Sequence, residues 1–145
     1  MLNARDSCMG RFSVTVEMAN YRDVLRAETG DIPADSVRRL SIRGVVDTGA
    51  SRLVIPESVV ERLGLPRSGQ VAVRYADGRK AERAMATGIH LTYGGRSSVF
   101  NAVIEPDRDS ALIGAIVLED LDFVVDRTAT RLVPRDPDRI VSEIE

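Results

Sequence analysis

Three observations predict a mostly β fold in a single domain. Short segments alternate apolar and polar residues with period two, glycine-containing turns separate them, and only two stretches carry the start and stop signals of a helix. With 145 residues, 43% of them hydrophobic and 29% charged, the chain can bury one core and has little left for a second. Trp is absent and aromatic residues reach only 4%, so that core is built from Val, Leu, Ile and Ala, which suit pleated, half-buried surfaces.

The first strand falls in GRFSVTVEM, where Phe12, Val14, Val16 and Met18 share one face. Residues 1–9 are expected to be a flexible N-terminus, with Met9 an equally good natural start. The next stretch, ANYRDVLRAETGDIPADS, is polar, contains Gly30 and Pro33, and reads as a mobile surface excursion. Val37, Leu40 and Ile42, then Gly44, Val45 and Val46, predict a strand bent at Gly44 and ending on Asp47. Past the turn at Gly49, SRLVIP forms another short strand. Pro56, Glu57, Val59, Val60 and Leu63, closed by Gly64 and Pro66, spell a helix of about two turns.

QVAVRYADGRKAERAM reads as a hairpin with its tip at Ala76-Asp77-Gly78-Arg79, since Asp-Gly supplies the positive φ angles of a tight turn. A second hairpin turns at Gly94-Gly95. His90 alternates with Ile89 and Leu91 and is expected to face solvent. ALIGAIVLEDLDFVVD then predicts a short strand, a helix from Ala115 to Asp120 and a strand at Phe123 to Val125, with RLVP closing the sheet. The domain thus spans residues 10–134, and 135–145 form a solvated tail. Arg127, Arg131, Arg135 and Arg139 have helical spacing, but Pro134 and Pro137 break any helix there.

The formal net charge is −2, and positive charge is almost all Arg, with Lys80 the only lysine. It is scattered among carboxylates and forms no sustained basic stripe, which argues against a nucleic-acid partner. Cys8 and His90 are the only residues of their types, so no intrachain disulfide and no Cys/His zinc cluster is expected, and no metal or cofactor is implied. No apolar run approaches membrane-spanning length, and MLNARDSCMG carries charge where a secretory signal would be apolar. The simplest expectation is a soluble cytoplasmic protein.

The chemistry concentrates in VVDTGASRLVIP, Val45 to Pro56. Two β-branched residues run directly into a carboxylate, and a buried carboxylate is costly unless something pairs with it or keeps it protonated. One reading of Asp47 is a turn-initiating residue before Thr48-Gly49. The surrounding pattern supports another. With VVDTGAS, the hairpin VRYADGRKA and ALIGAIVLEDL in that order, the chain from about Gly10 to Pro134 resembles the retropepsin-like aspartic peptidases, the single-lobed relatives of pepsin.

That resemblance implies a closed, barrel-like lobe with two short helices and an active site on the two-fold axis of a homodimer. Asp47 becomes the catalytic carboxylate, Thr48 interlocks with its counterpart, and Gly49, Ala50 and Ser51 complete the active-site turn. Tyr75, Ala76, Asp77, Gly78 and Arg79 become the flap over a peptide substrate, and Ile113-Gly114 the second structural motif. The chain carries a single D-T-G, so its twin must come from a second copy. Two aspartates about 3 Å apart cannot both ionise and would share one proton. Ala50 in place of Ser implies a less acid optimum, while Ser51 and Ala115 replace an Asp–Arg pair common in viral members, so the dimer network is built otherwise.

Two further readings are compatible with parts of the pattern. The fold could serve as a dimerisation or peptide-binding module without turnover. DTGAS could also be a phosphate-binding turn like those of actin-like ATPases, although that fold needs two large domains.

Overall fold

Strand β1 (Arg11–Asn20) buries Val16 and Met18 and half-buries Phe12 and Val14, the alternate face read from its period. It is the first element of a computed structural model that describes residues 11–145. The expected flexible N-terminus, with Cys8 and Met9, lies outside the described residues. The strands that follow are β2 (Arg39–Asp47), β3 (Leu53–Pro56), β4 (Arg67–Arg74), β5 (Lys80–Tyr93), β6 (Arg96–Glu105), β7 (Ala111–Ile113), β8 (Phe123–Asp126) and β9 (Arg131–Pro134).

The main sheet has the order β1-β2-β7-β3-β6-β5-β4, and an additional β1–β5 pairing closes six of its strands into a barrel. Closure comes from the length of β5. Its Ile89 to Thr92 pair with β1, while its Lys80 to Ala86 pair with β4, which therefore projects from the ring as a hairpin arm. Met18, Leu53, Ile55, Ile89, Leu91 and Ile113 fill the interior and are almost wholly removed from water. A closed barrel leaves few open edges and concentrates its apolar side chains inward.

Among the described residues there are three short helices rather than two. Helix α1 (Tyr21–Glu28) occupies the stretch expected to be a mobile excursion. Asn20 caps it by accepting from the Asp23 amide at 3.0 Å, and a short 3₁₀ turn at Ala34–Ser36 follows. Helix α2 (Glu57–Leu63) starts after Pro56 and stops at Gly64, which takes φ 63°. Helix α3 (Ala115–Leu121) ends one residue beyond its expected limit, at a left-handed Asp122.

Two local expectations are corrected, at RLVP and at His90. Gly44 interrupts no pairing: the β1–β2 register runs unbroken from Arg11↔Asp47 to Ala19↔Arg39. Instead it admits Ile113, whose Cγ1 would lie 2.9 Å from a Cβ there. The RLVP strand does not close the main sheet but pairs only with β8 in a separate two-stranded ribbon. His90 is half-buried, stacked on Tyr21 with ring centroids 6.0 Å apart. The tail past β9 is largely exposed yet tethered, with Asp122 accepting from the Val141 amide and from Arg135 Nε.

Candidate active site

Strand β2 alternates exposed Arg39, Ser41 and Arg43 with buried Leu40, Gly44 and Val46, and at its end it delivers Asp47 with 17% of its side chain exposed. The turn that follows aims the carboxylate. The Gly49 amide donates to Asp47 Oδ1 at 3.0 Å, and the Ala50 amide donates to the Asp47 carbonyl at 3.1 Å. A Cβ on Gly49 would lie 3.2 Å from Oδ1, so glycine lets the backbone come close to the carboxylate. Thr48, Gly49 and Ser51 are exposed and Ala50 is half-buried.

The second motif supports this turn from below. Strand β7 runs parallel to β2, with Val45↔Leu112 and Val46↔Ile113, and meets β3 at Val54↔Leu112, so it lies between the strands that enter and leave the turn. Gly114 then presses on the turn itself. A Cβ there would stand 2.4 Å from the Arg52 carbonyl oxygen and 2.9 Å from that of Ala50. The amides of Ala115 and Ile116 donate to the carbonyls of Ala50 and Ser51 at 2.8 and 3.0 Å. Main-chain bonds therefore join the two segments at which Ser51 and Ala115 leave no side-chain ion pair.

The β4–β5 hairpin carries the other group of expected residues. Its tip is a five-residue connection, Tyr75 to Arg79, closed by the Tyr75 amide donating to the Arg79 carbonyl and the Gly78 amide to the Tyr75 carbonyl. Of the Asp-Gly pair only Gly78 takes a positive φ, 91°. Asp77 instead caps the tip, accepting from the amide and Nε of Arg79 at 3.0 and 2.8 Å. That hydrogen bond from Arg79 holds the Asp77 carboxyl below its ordinary range. Among the described residues, no hydrogen bond or ion pair joins Tyr75, Ala76, Asp77, Gly78 or Arg79 to the Asp47–Ser51 turn.

Three side chains around these segments, those of Arg11, Glu105 and Arg108, escaped the sequence reading. Arg11, directly opposite Asp47 across β1 and β2, brings Nη2 to 3.1 Å from Asp47 Oδ2. The antiparallel register of GRFSVTVEM against SIRGVVD was the available signal. Glu105, at the end of β6, accepts from the Tyr75 hydroxyl and pairs with Arg83 Nε at 3.2 Å. This hydrogen bond, and then burial, raises the Tyr75 phenol above its ordinary pKa. Arg79 stacks over the same ring at 4.7 Å from its centroid. Arg108, in the loop before β7, donates from Nε to the Ser110 carbonyl at 2.9 Å and from Nη2 to Ser110 Oγ at 3.1 Å. Burial lowers its pKa, with Glu105 opposing and the charge of Arg11 adding to the fall.

The profile of the family described as Aspartyl protease matches residues 36–117, more than half of the chain, and spans both the Asp47 turn and Gly114. The chain belongs to the aspartyl protease family. Among curated proteins none matches it. Among solved structures it is similar to the EIAV protease complexed with the inhibitor HBY-793, with a TM-score of 0.50. The two are 18% identical over 77% of this chain and 88% of that one, a likeness of fold. The closed barrel, the turn ending β2 and the strand–glycine–helix support are thus the frame of a retropepsin-like aspartic peptidase.

Proposed function

We propose that the chain is a homodimeric aspartic endopeptidase. The observation that carries the reading is the single D-T-G turn: Asp47 is oriented by the Gly49 amide, while Thr48, Gly49 and Ser51 are left exposed on one face of the chain. Ile116, whose amide bonds this turn, is itself 49% exposed, an apolar side chain suited to cover by a second copy.

In the dimer two Asp47 carboxylates hold one proton between them. The ionised one takes a proton from water as its oxygen bonds to the scissile carbonyl carbon. The protonated one donates to the carbonyl oxygen, giving a neutral geminal diol. Collapse of the diol breaks the C–N bond, and a proton passes from an Asp47 to the departing nitrogen. The β4–β5 arm would close over an extended peptide and exclude water.

The experiment is cleavage of a peptide library between about pH 4 and 7, inhibited by pepstatin and lost in Asp47→Asn while sedimentation still reports a dimer. Cleavage that survives the substitution rejects the reading.

The Arg11–Asp47 contact favours a second reading. A carboxylate neutralised by a guanidinium does not need a proton-sharing mate, so the fold could bind peptides or dimerise without hydrolysis. An Asp47→Asn chain that binds the same peptides as a catalytically silent wild type would identify that case.

A further inference from the structure

The face of the barrel beside Asp47 is richer in arginine than its carboxylates require. Arg11 meets Asp47, and Arg43, on the same face of β2, reaches across to donate from Nη1 to Ser13 Oγ at 2.9 Å. Ser13 lies two residues from Arg11 on β1. Arg108 enters from the loop before β7 and leans on Ser110 and Ala111, the latter beside Gly44 in the parallel register. Three elements thus aim guanidinium groups at one region.

Their partners are unequal to them. Among the described residues neither Arg43 nor Arg108 forms an ion pair; both take neutral hydroxyl or carbonyl acceptors. Arg108 is half-buried, so its charge has lost part of its hydration without a carboxylate in return. Glu105 already pairs with Arg83 and Tyr75, and Asp109 is exposed. Once two Asp47 groups share a proton, each copy carries half a negative charge on average, and the hold on Arg11 weakens.

We propose that Arg11 and Arg108, with Arg43 behind them, form a cationic subsite that selects peptides bearing an Asp or Glu side chain close to the scissile bond. The inference rests on the peptidase reading. A planar guanidinium accepts a carboxylate through two parallel N–H donors, so an acidic side chain would gain charge-assisted hydrogen bonds that its amide isostere would not.

The test uses otherwise identical peptides in which one Asp is walked along the sequence, each matched to an Asn counterpart. Fluorescence anisotropy on the full-length Asp47→Asn chain measures binding, and the wild type measures cleavage. At the favoured position the Asp peptide should bind and be cleaved about tenfold better than its Asn match. Arg108→Gln and Arg11→Gln should each remove that ratio, and Arg108→Glu should shift preference toward Lys at the same position. Circular dichroism identifies any variant that fails to fold, and the Arg43→Gln variant then supplies the charge deletion. Equal binding of Asp and Asn peptides, or binding of neither, overturns the subsite. Absence of cleavage in the wild type with the binding preference intact would instead overturn hydrolysis and leave the subsite standing.

Discussion

Gly114 lies with its Cα against the backbone of Arg52, where a Cβ would approach the carbonyl oxygen to 2.4 Å and the nitrogen to 2.8 Å. Both are main-chain atoms in the segment leaving the Asp47 turn, and they cannot swing aside as a flexible side chain could. Gly114→Ala should therefore cost about 2–4 kcal/mol in urea unfolding and displace the turn. Gly78→Ala is the contrast. At Gly78 nothing lies within 4 Å of an added Cβ and only the positive φ resists, so about 1 kcal/mol is expected. Similar losses at the two sites would deny that Gly114 is a close-packing position.

An ion pair between a buried carboxylate and a half-exposed guanidinium joins α1 to the segment entering β2. Asp23, 4% exposed, accepts from Nε, Nη2 and the amide of Arg38. The Arg38 side-chain hydrogen bond leads in lowering its pKa to about 2 from 3.8. The folded value lies below the unfolded one, so the pair stabilises fully above about pH 4 and its contribution is lost as pH falls through about 2. Asp23→Asn should cost about 2 kcal/mol at pH 7, because the amide side chain leaves Arg38 without a counter-ion. Measured against wild type down the pH scale, the difference should shrink below pH 4. A constant difference would remove the charge from the explanation.

Asp23 also explains why α1 was hidden in the sequence. A helix is read from apolar residues at helical spacing, yet in YRDVLRAE the sole fully buried residue is an aspartate and Leu25 is 42% exposed. Its remaining signal was the cap, Asn20 three residues before Asp23 and Thr29-Gly30 at the end. By contrast α2 was legible because Val59, Val60 and Leu63 are buried and Gly64 turns left-handed. The Gly94-Gly95 hairpin was legible for the same local reason, both glycines taking positive φ. Which sheet a strand joins is not a local property, and nothing within RLVP shows that β9 pairs with β8 rather than with the main sheet. The Asp47 turn and Gly114 could be read from their motifs, whereas Arg11, Glu105 and Arg108 reach the site through register and loop path.

The C-terminal tail is held by a residue that ends a helix. Asp122 takes φ 61°, accepts from Arg135 Nε at 2.6 Å, and accepts from the Val141 amide at 3.0 Å. The Arg135 hydrogen bond lowers its pKa, so this tether is present above the usual carboxylate range and released as pH falls through the lowered value. Asp122→Asn keeps a residue tolerant of the left-handed conformation while removing the charge. Faster amide exchange at Val141 and faster carboxypeptidase trimming of residues 135–145 are expected, with the barrel amides unchanged. If the tail exchanges at the wild-type rate, the tether lies elsewhere.

The arm that would cover a substrate is fastened near its tip, where Tyr75 meets Glu105. Tyr75 donates its hydroxyl to a carboxylate that is only 13% exposed, and Arg83 pairs with the other oxygen. The Glu105 hydrogen bond raises the phenol pKa. A folded value above the unfolded one means that the bond stabilises fully below about pH 10 and is lost as pH rises through the raised folded value. Ultraviolet titration should show a late-ionising phenol that vanishes in Tyr75→Phe and moves earlier in Glu105→Gln. Tyr75→Phe deletes one hydroxyl but retains the ring beneath Arg79 and the Arg83–Glu105 ion pair, so it removes one of the arm's two ties to Glu105. Peptide KM should then rise several-fold with kcat less affected, and amides from Tyr75 to Lys80 should exchange faster. An unchanged KM beside an unchanged exchange rate would show that the hydroxyl does not hold the arm.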